Sequence, residues 1–313
     1  MLLRYLTLSA LVACIIMASG CITGQDDMLC SNDEYSTKYV SGMISLSGES
    51  VTKLRSRIQQ KGDIVLNGIM DLDCLEYLSL WDTRVSDIEP LHNLTSLKVL
   101  YLRNTGVSDL SPLKRINNLE ELYVDNTPVS SISVLTGVEN LKVLDISGTN
   151  VTRLMNLNQM KGLEVLDMRE IEVLDMPSFS EMNLKELYVT SFGVSGIEPL
   201  RQLPSIEKLV LWETEIFDMS PLGELESLEN LLFWNSSITR LDFIESLDNL
   251  ETVTFYETPV HDFSLFQESG SLKKLELGGE GVEESDCDAL KALLPDIEIT
   301  CPYEPTEIPE PVY

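Results

Sequence analysis

The sequence predicts an α/β solenoid, a stack of short repeats that each contribute one strand and one short helical turn. The first observation is an apolar phrase, Leu-x-x-Leu-x-Leu-x-x-Thr-x-Val, of which ten copies begin between Leu75 and Leu272. The second is the spacing: every step is 22 residues except the step of 21 from Leu163 to Leu184. The third is that the first, fourth and sixth positions of all ten copies are apolar. A period of this length indicates a repeat architecture.

Each repeat is predicted to contain a strand and then a helical turn. The fourth and sixth positions alternate with positions that point the other way, as in a strand with one buried face. A second apolar group follows, as in Leu110, Pro112 and Leu113, and Ser111 before Pro112 predicts a capped turn with proline in its first turn. One repeat cannot bury both groups alone, so neighbouring repeats must stack into a continuous core.

The phrase Val-Ser-Asp-Leu-Ser-Pro-Leu at 107–113, with variants at 85–91 and 194–200, carries a family resemblance. It resembles the 22-residue class of leucine-rich repeats, which includes bacterial internalin-type surface proteins and the leucine-rich regulatory subunit of a eukaryotic protein phosphatase. The resemblance implies a right-handed curved solenoid with a parallel concave β-sheet and short helical turns on the convex side. It also implies a protein-binding scaffold that uses its concave face, with neither catalysis nor a cofactor.

The ninth position of the repeat carries a hydroxyl in most copies, where leucine-rich repeats usually have asparagine. We expect threonine to serve the same backbone groups more weakly, at about 1 kcal/mol each. Ile171 and Phe192 interrupt this pattern beside the 21-residue step. The interruption predicts either a local irregularity of the solenoid or a functional joint.

The first twenty residues predict export. Tyr5 to Ala18 form an apolar stretch of 14 residues, too short for a membrane span of about 20 residues. Ala18-Ser19-Gly20-Cys21 resembles a bacterial lipoprotein signal, in which cleavage precedes Cys21 and this cysteine carries the lipid, palmitate included. An ordinary secretory signal is the alternative. Lipidation of Cys21 implies a place at the bacterial cell envelope, on the outer membrane if the cell has two membranes.

Four other cysteines remain after cleavage, two before the repeats and two after them. The ends of a solenoid need closure because their core would otherwise meet water. We therefore predict the disulfides Cys30–Cys74 and Cys287–Cys301. Zinc is a poorer use of these cysteines, since the sequence has no Cys-x-x-Cys pair.

The remaining organisation follows from composition, and since the repeats contain no linker we predict one continuous domain for them. The predicted segments are a signal peptide at 1–20, a tether at 21–50, an N-terminal cap at 51–74, leucine-rich repeats at 75–283, a C-terminal cap at 284–301 and a disordered, acidic, proline-rich tail at 302–313.

The chain is strongly acidic, with 51 acidic and 22 basic residues and a formal charge of −29. This charge argues against binding to nucleic acid and against flat binding to anionic lipid, so contact with a membrane is expected through the lipid anchor only. Two accounts of the charge remain open: a solvated surface that prevents association, or a preference for a basic partner.

A row of aromatic side chains is predicted on the concave face. The third, fifth, seventh and eighth positions should face out of the sheet, and all three tryptophans occupy the seventh. Because Trp, Tyr and Arg dominate interface hot spots, we predict a recognition surface centred on Trp212, Trp234 and Tyr256; scattered surface aromatics are the alternative. The predicted partner-binding residues are Trp81, Tyr101, Arg103, Tyr123, Asp145, Asp167, Arg169, Tyr188, Trp212, Trp234 and Tyr256.

No catalytic or metal site is predicted, and we expect the protein not to be an enzyme. His92 and His261 lie on distant repeats and cannot share a site. The acid pair Asp145 and Asp167 is interpreted as a negative rim rather than a glycosidase pair. The alternative function is carbohydrate or cell-wall glycan binding, with the tryptophan row stacking on sugar rings.

Overall fold

The computed structural model describes residues 16–18, 75–174, 177–190, 196–216, 218–238, 240–260, 262–280 and 282–304. The chain divides into two compact units, Met1–Val129 and Ser130–Tyr313. Each unit has its own strands and turns, and the prediction of one continuous domain stays a prediction. Within the described ranges, no helix has the length and apolar character needed to cross a lipid bilayer.

The described part of the first unit, residues 16–18 and 75–129, contains four strands. Three of them are parallel and pair in chain order, so that each fourth position stands beside the next one: Leu78 beside Leu100, and Leu100 beside Leu122. The strand Ile16–Ala18, which falls within the predicted signal peptide, pairs antiparallel with the first repeat strand. The strands are β1 Ile16–Ala18, β2 Leu75–Ser79, β3 Val99–Tyr101 and β4 Glu121–Tyr123, with 3-10 helices at Glu89–Asn93 and Ser111–Arg115.

Among its described residues, the second unit contains eight parallel strands, and consecutive strands are neighbours. They are β5 Val143–Asp145, β6 Val165–Met168, β7 Glu186–Thr190, β8 Lys208–Trp212, β9 Asn230–Trp234, β10 Thr252–Tyr256, β11 Lys274–Gly278 and β12 Glu298–Thr300. The 3-10 helices in the described ranges are Ser133–Gly137, Leu157–Gln159, Glu198–Gln202, Ser220–Glu224, Asp242–Ser246 and Ser264–Glu268, and the α-helix described there, α1, spans Glu284–Leu293.

Both units confirm the predicted repeat solenoid of parallel strands and short helical turns. The fourth and sixth positions point into the core: Leu209 and Phe233 are fully buried, and Phe233 stacks on Phe255 with ring centroids 5.5 Å apart. Fully burying such a side chain stabilises the fold by roughly 1.5–3 kcal/mol. Repetition of this burial at every step holds each unit together.

The predicted capping of the helical turns was wrong in one detail. Ser111 is the first residue of its 3-10 helix rather than the cap, and its backbone N–H donates to Asp109 Oδ1 at 2.8 Å. Ser220 and Asp218 repeat this arrangement at 3.0 Å. The backbone N–H of the serine lowers the pKa of each aspartate. An aspartate two residues before the proline-containing turn therefore closes it, as in an Asx-turn.

The eighth position, expected on the face of the sheet, instead ends the strand in a left-handed turn. Its φ is 53° at Asn104 and 46° at Asn235, which asparagine tolerates well. Three copies have glutamate there, with φ of 57° at Glu170, 49° at Glu213 and 52° at Glu257. Glutamate gains no local compensation in this conformation, so these three turns carry backbone strain.

The hydroxyls of the ninth position serve the backbone, as expected, but in two ways. Thr105 Oγ1 donates to the carbonyl of Leu102 at 2.6 Å, within its own repeat, and Thr149 donates likewise to Ile146 at 2.6 Å. The pair Thr214 and Ser236 instead joins two repeats: their hydroxyls lie 2.9 Å apart, and Ser236 Oγ also lies 3.1 Å from the Leu211 carbonyl oxygen of the preceding repeat. Ile171 replaces the hydroxyl with a buried apolar side chain, and Phe192 lies outside the described residues.

Helix α1 and β12 follow the last repeat in the second unit, within the segment predicted as a C-terminal cap at 284–301, and this cap stays a prediction. Helix α1 begins with a reciprocal capping box between Glu283 and Asp286. Cys287 of the helix forms a disulfide with Cys301, with their Cα atoms 5.3 Å apart, which confirms this pairing. Cys21, Cys30 and Cys74 lie outside the described residues.

Replacing Glu213 by asparagine is expected to raise the free energy of unfolding by about 0.5–1 kcal/mol, because asparagine adopts positive φ at lower cost. Urea titration measures this change. The matched control is Glu215→Asn, two residues further on, where the side chain is also exposed and φ is not positive. Equal effects of the two substitutions would show that the turn carries no strain.

Candidate functional site

The outer face of the sheet in the second unit, turned away from the apolar core, carries a continuous aromatic ladder: Trp212, Trp234, Tyr256 and Tyr303. The parallel register places Trp212 beside Trp234 and Trp234 beside Tyr256 on β8, β9 and β10. The two indoles are stacked, with centroids 4.8 Å apart and planes 7° from parallel. Tyr256 continues the row at 4.1 Å, and Tyr303 meets it edge-on at 6.4 Å.

Stacking decides which part of each ring is accessible. The faces of Trp212 and Trp234 lie against their neighbours, so the rings present mainly their edges to solvent. Trp212 keeps 8% of its surface exposed, whereas Trp234 and Tyr256 are half-buried. The edge of an aromatic ring is its electropositive part, so the ladder offers apolar edges that can also meet backbone carbonyl groups.

A buried ion pair stands at the start of the ladder. The Arg169 guanidinium donates to the Asp167 carboxylate from Nε at 3.0 Å and from Nη2 at 2.6 Å, and Asp167 is fully buried. The guanidinium carbon Cζ of Arg169 lies 5.6 Å from the centroid of the Trp212 ring and 5.5 Å from that of the Tyr188 ring. The carboxylate fixes the guanidinium in one orientation, in which it lies over the Trp212 ring at cation–π distance.

Tyr188 and its neighbours contact the Arg169 guanidinium and hold it in place beside Trp212. The Tyr188 hydroxyl donates to Glu186 Oε2 at 2.7 Å, and Lys208 Nζ lies 3.4 Å from the same oxygen and 5.0 Å from the ring centroid. Burial, and then the hydrogen bond to the Glu186 carboxylate, raise the pKa of Tyr188. This phenol therefore stays neutral through the physiological range.

The first unit has a separate tyrosine row on the outer face of its own sheet. Tyr77, Tyr101 and Tyr123 follow one another, with centroid distances of 5.3 and 4.2 Å. The Tyr123 hydroxyl donates to Glu121 Oε2 at 2.8 Å. Burial is the main cause of the raised pKa at each of the three tyrosines.

The predicted site residues thus form two groups, one in each unit. In the first unit Trp81 is exposed at 45%, and Arg103 Nε pairs with Asp125 Oδ2 at 3.0 Å. Several predicted contact residues are too buried to meet a partner directly and act as supports. These supporting residues, each at most 2% exposed, are Tyr123, Asp167 and Tyr188, whereas Asp145, Arg169 and Trp212 keep 7–8% of their surface exposed. Their role in partner binding stays a prediction, as does that of the exposed residues.

Sequence reasoning missed Tyr303, which it assigned to a disordered tail. Its backbone N–H donates to the Leu277 carbonyl at 2.7 Å, and its ring extends the ladder. The signal was present in Gly278, which occupies the seventh position of the last repeat where the two previous repeats have Trp234 and Tyr256. A missing aromatic at that position leaves room for another segment.

Metal sites, histidine sites and cavities were the other candidates in the described part of the chain. No group of three or more His, Cys, Asp or Glu side chains there could hold a metal ion. His92 Nδ1 lies 2.6 Å from the Glu89 carbonyl, and His261 lies outside the described residues. A cavity of about 190 Å³ on the side of the helical turns, lined by Ile132, Arg153 and Met155 among others, contains none of the predicted site residues.

Comparisons with known proteins agree with this geometry. The model of the leucine-rich repeats family (two copies) matches residues 75–115 and 95–137. An internalin (InlF) of Listeria monocytogenes has 24% identity and a TM-score of 0.60, covering 74% of this chain and 75% of that chain. A leucine-rich-repeat protein of Leptospira interrogans has 19% identity and a TM-score of 0.60, covering 74% and 62%.

A more distant similarity reaches the plant peptide hormone receptor RGFR1 in complex with RGF2, at 17% identity and a TM-score of 0.53, covering 68% of this chain and 38% of that chain. A comparison with curated protein sequences gives no match. These similarities confirm the leucine-rich-repeat fold and the resemblance to bacterial internalin-type proteins that the repeat phrase indicates.

Replacing Asp167 by asparagine is expected to destabilise the protein by about 3 kcal/mol, because Arg169 would keep its buried charge without a counter-ion. The matched control is Asp242→Asn, whose pair with Arg240 has side chains 62% and 79% exposed, against 0% and 10% for the buried pair. Loss of the exposed pair should cost less than about 1 kcal/mol. Urea titration compares the two, and similar losses would contradict a structural role for the buried pair.

Alkaline pH is expected to destabilise the protein through its buried tyrosines. The pKa of Tyr188 is raised above its ordinary value of 10.0 in the folded state. Its contribution to stability is therefore complete below that pH and is lost as the pH rises toward the folded pKa. Tyr188→Phe should reduce the loss of unfolding free energy between about pH 9 and pH 11. An unchanged pH slope, measured by urea titration across this range, would contradict the assignment.

Proposed function

We propose that this protein is an exported, lipid-anchored scaffold of the bacterial cell envelope that binds a protein partner on the outer face of the second unit. The observation that carries the proposal is the aromatic ladder, with Trp212 held between Arg169 and Trp234. The fold supports binding rather than catalysis, and a solenoid of similar fold holds RGF2 in the plant receptor structure.

The ladder is suited to protein recognition because it is already ordered. Side chains that lose rotamer freedom on association cost about 0.5–1.5 kcal/mol each. Stacking has immobilised Trp212, Trp234 and Tyr256 before any partner arrives, so this cost is small. Trp, Tyr and Arg are also the residues that contribute most at interface hot spots.

Carbohydrate binding is the second candidate, and the ring geometry disfavours it at the ladder. A sugar ring stacks on an open aromatic face, whereas the faces of Trp212 and Trp234 are covered by Arg169, by each other and by Tyr256. Trp81 in the first unit has the most exposed indole, at 45%. A glycan array on the wild-type protein and on Trp81→Ala tests this candidate.

The chemistry of the partner follows from charge. The formal charge is −29, and the exposed Glu213 lies in the turn directly after Trp212. These charges favour a basic protein partner and disfavour nucleic acid. Screening by salt should therefore weaken association, because exposed charges separated by more than about 10 Å interact little at 0.1 M salt.

The compartment is part of the proposal. Cleavage before Cys21 and lipidation of its thiol would leave the protein attached to a membrane through its lipid alone. Disulfides agree with an oxidising compartment outside the cytosol. Mass spectrometry of the mature amino terminus tests this directly: a diacylglycerol-modified Cys21 supports the proposal, and an unmodified or different terminus contradicts it.

The double substitution Trp212→Ala/Trp234→Ala is expected to abolish most partner binding. Peptides would be selected from a displayed random library on the wild-type protein, and their affinities measured by biolayer interferometry. Truncating one hot-spot residue costs about 2 kcal/mol, so the affinity should fall by at least about tenfold. The selected peptides should be rich in Lys and Arg and should bind more weakly as salt increases.

Two further variants make this test decisive. Tyr256→Ala removes a half-buried ring of the ladder and should also weaken binding. It therefore serves as the test if the double variant does not fold. Met155→Ala removes an apolar side chain that is 68% exposed outside the ladder, beside the cavity, and should leave affinity unchanged. Equal binding of the peptides to wild type and to a folded Trp212→Ala/Trp234→Ala variant would contradict the proposed function.

A further inference from the structure

The chain returns to the aromatic ladder after the last repeat. At Gly278 an added Cβ would lie 1.9 Å from the Tyr303 carbonyl oxygen, so only glycine leaves room for the crossing segment. The Tyr303 N–H is bonded to Leu277, and its ring stands against Tyr256. Tyr303 therefore takes the place in the ladder that the seventh position of the last repeat leaves empty.

The position of Tyr303 is fixed by β12 and by the disulfide at Cys301, which directly precede it in the chain. Thr300 pairs with Glu276 at the end of β12, and Cys301 is tied to helix α1 by the disulfide. The chain thus leaves the described region at Glu304, directly beside the end of the ladder. The sequence continues with nine residues, Pro-Thr-Glu-Ile-Pro-Glu-Pro-Val-Tyr, at 305–313.

We infer that the segment 305–313 is an intramolecular ligand of the aromatic ladder and competes there with the protein partner. The competition rests on the proposed function; the docking of the segment does not. Three of its nine residues are proline, and proline-rich segments are pre-ordered as polyproline II and dock on aromatic-lined surfaces at low entropic cost.

The segment is long enough for this path. Nine residues of polyproline II extend about 28 Å at about 3.1 Å per residue. The distance from Tyr303 past Tyr256 and Trp234 to Trp212 is three strand spacings, about 14 Å at about 4.8 Å each. The segment therefore reaches every ring of the ladder with residues to spare.

The two sides of the ladder differ in charge, and an acidic segment is repelled less on the side that carries lysines. Lys208 and Lys274 occupy third positions, at the start of their strands, where they pair with Glu186 and Glu276; Glu307 and Glu310 could meet them only by sharing these cations. Glu213 and Glu257 occupy the turns beyond the ladder, on the opposite side. Between the ladder and the lysines, the fifth positions of β8 to β11 hold Val210, Leu232, Thr254 and Glu276, and the Glu276 carboxylate is already paired with Lys274.

Tethering makes even weak docking effective. A short flexible connection gives an effective concentration on the order of 1 mM, so a segment with a dissociation constant of about 0.1 mM in trans would occupy about nine-tenths of the ladders. Removal of the segment should then raise the affinity of an external ligand by about tenfold.

Tryptophan fluorescence tests the docking without any partner. In a Trp81→Phe background, only Trp212 and Trp234 report. Three chains would be compared: the full chain, a chain that stops after Glu304, and a chain of full length in which Gly and Ser replace 305–313. Acrylamide should quench the second and third chains more strongly than the first. A synthetic peptide of residues 305–313 should restore protection to the truncated chain in a saturable manner, and Trp234→Ala should remove peptide binding.

The outcomes separate this inference from the proposed function. Equal quenching of the three chains, with no binding of the synthetic peptide, would overturn the inference. The library-selected peptides described above could still bind the truncated chain, and the proposed function would then stand. If the segment docks but no selected peptide depends on the ladder, the inference stands and the proposed function fails. An affinity of the selected peptides that rises about tenfold on truncation supports both.

Discussion

The parallel register between consecutive repeats is the constraint on which the rest of each unit depends. It sets every position of one repeat beside the same position of the next, so that Leu209 meets Leu231 and Phe233 meets Phe255. The buried first, fourth and sixth positions fix this register, because a shift by one residue would turn the apolar side chains out of the core. The same register therefore aligns the side chains on the outer face of the sheet. Trp212 lies on Trp234, and Tyr101 on Tyr123, because the leucines behind them are already aligned.

Because the register aligns aromatic side chains of consecutive repeats, the outer face has properties that a single aromatic side chain does not have. Stacked rings protect one another's faces, hold fixed rotamers and present edges. The fully buried Asp167 keeps the Arg169 guanidinium on the first indole, so the ladder is bounded by a cation at one end. At the other end it is bounded by Tyr303, which comes from outside the repeats. The result is a rigid apolar strip within a strongly acidic protein, a combination that favours recognition of another chain over chemistry on a small substrate.

The closure of the second unit serves both stability and the site. Helix α1 covers the apolar end of the stack, the disulfide joins it to Cys301, and β12 adds a strand beyond the last repeat. The same three elements bring the following residues to Gly278, where the absence of a side chain admits them. Departures from the repeat phrase, such as glycine in place of an aromatic, therefore mark the places where a segment outside the repeat contributes to the surface.

The sequence by itself determined the repeat, the strands, the helical turns, the Cys287–Cys301 disulfide and the alignment of Trp212, Trp234 and Tyr256. The repeat, the strands, the turns and the alignment of the rings follow from the local spacing of apolar residues, which a period of 22 residues reports directly, and the disulfide follows from the need to close the end of the stack. Only the tertiary structure decided how deep each outer side chain lies, and so separated supports such as Tyr188 from accessible rings such as Trp234. Burial there depends on neighbours 22 residues away on both sides and on their sizes. The place of Tyr303 was also a tertiary outcome, because the contact joins a residue outside the repeats to a gap within them, and no local period connects the two.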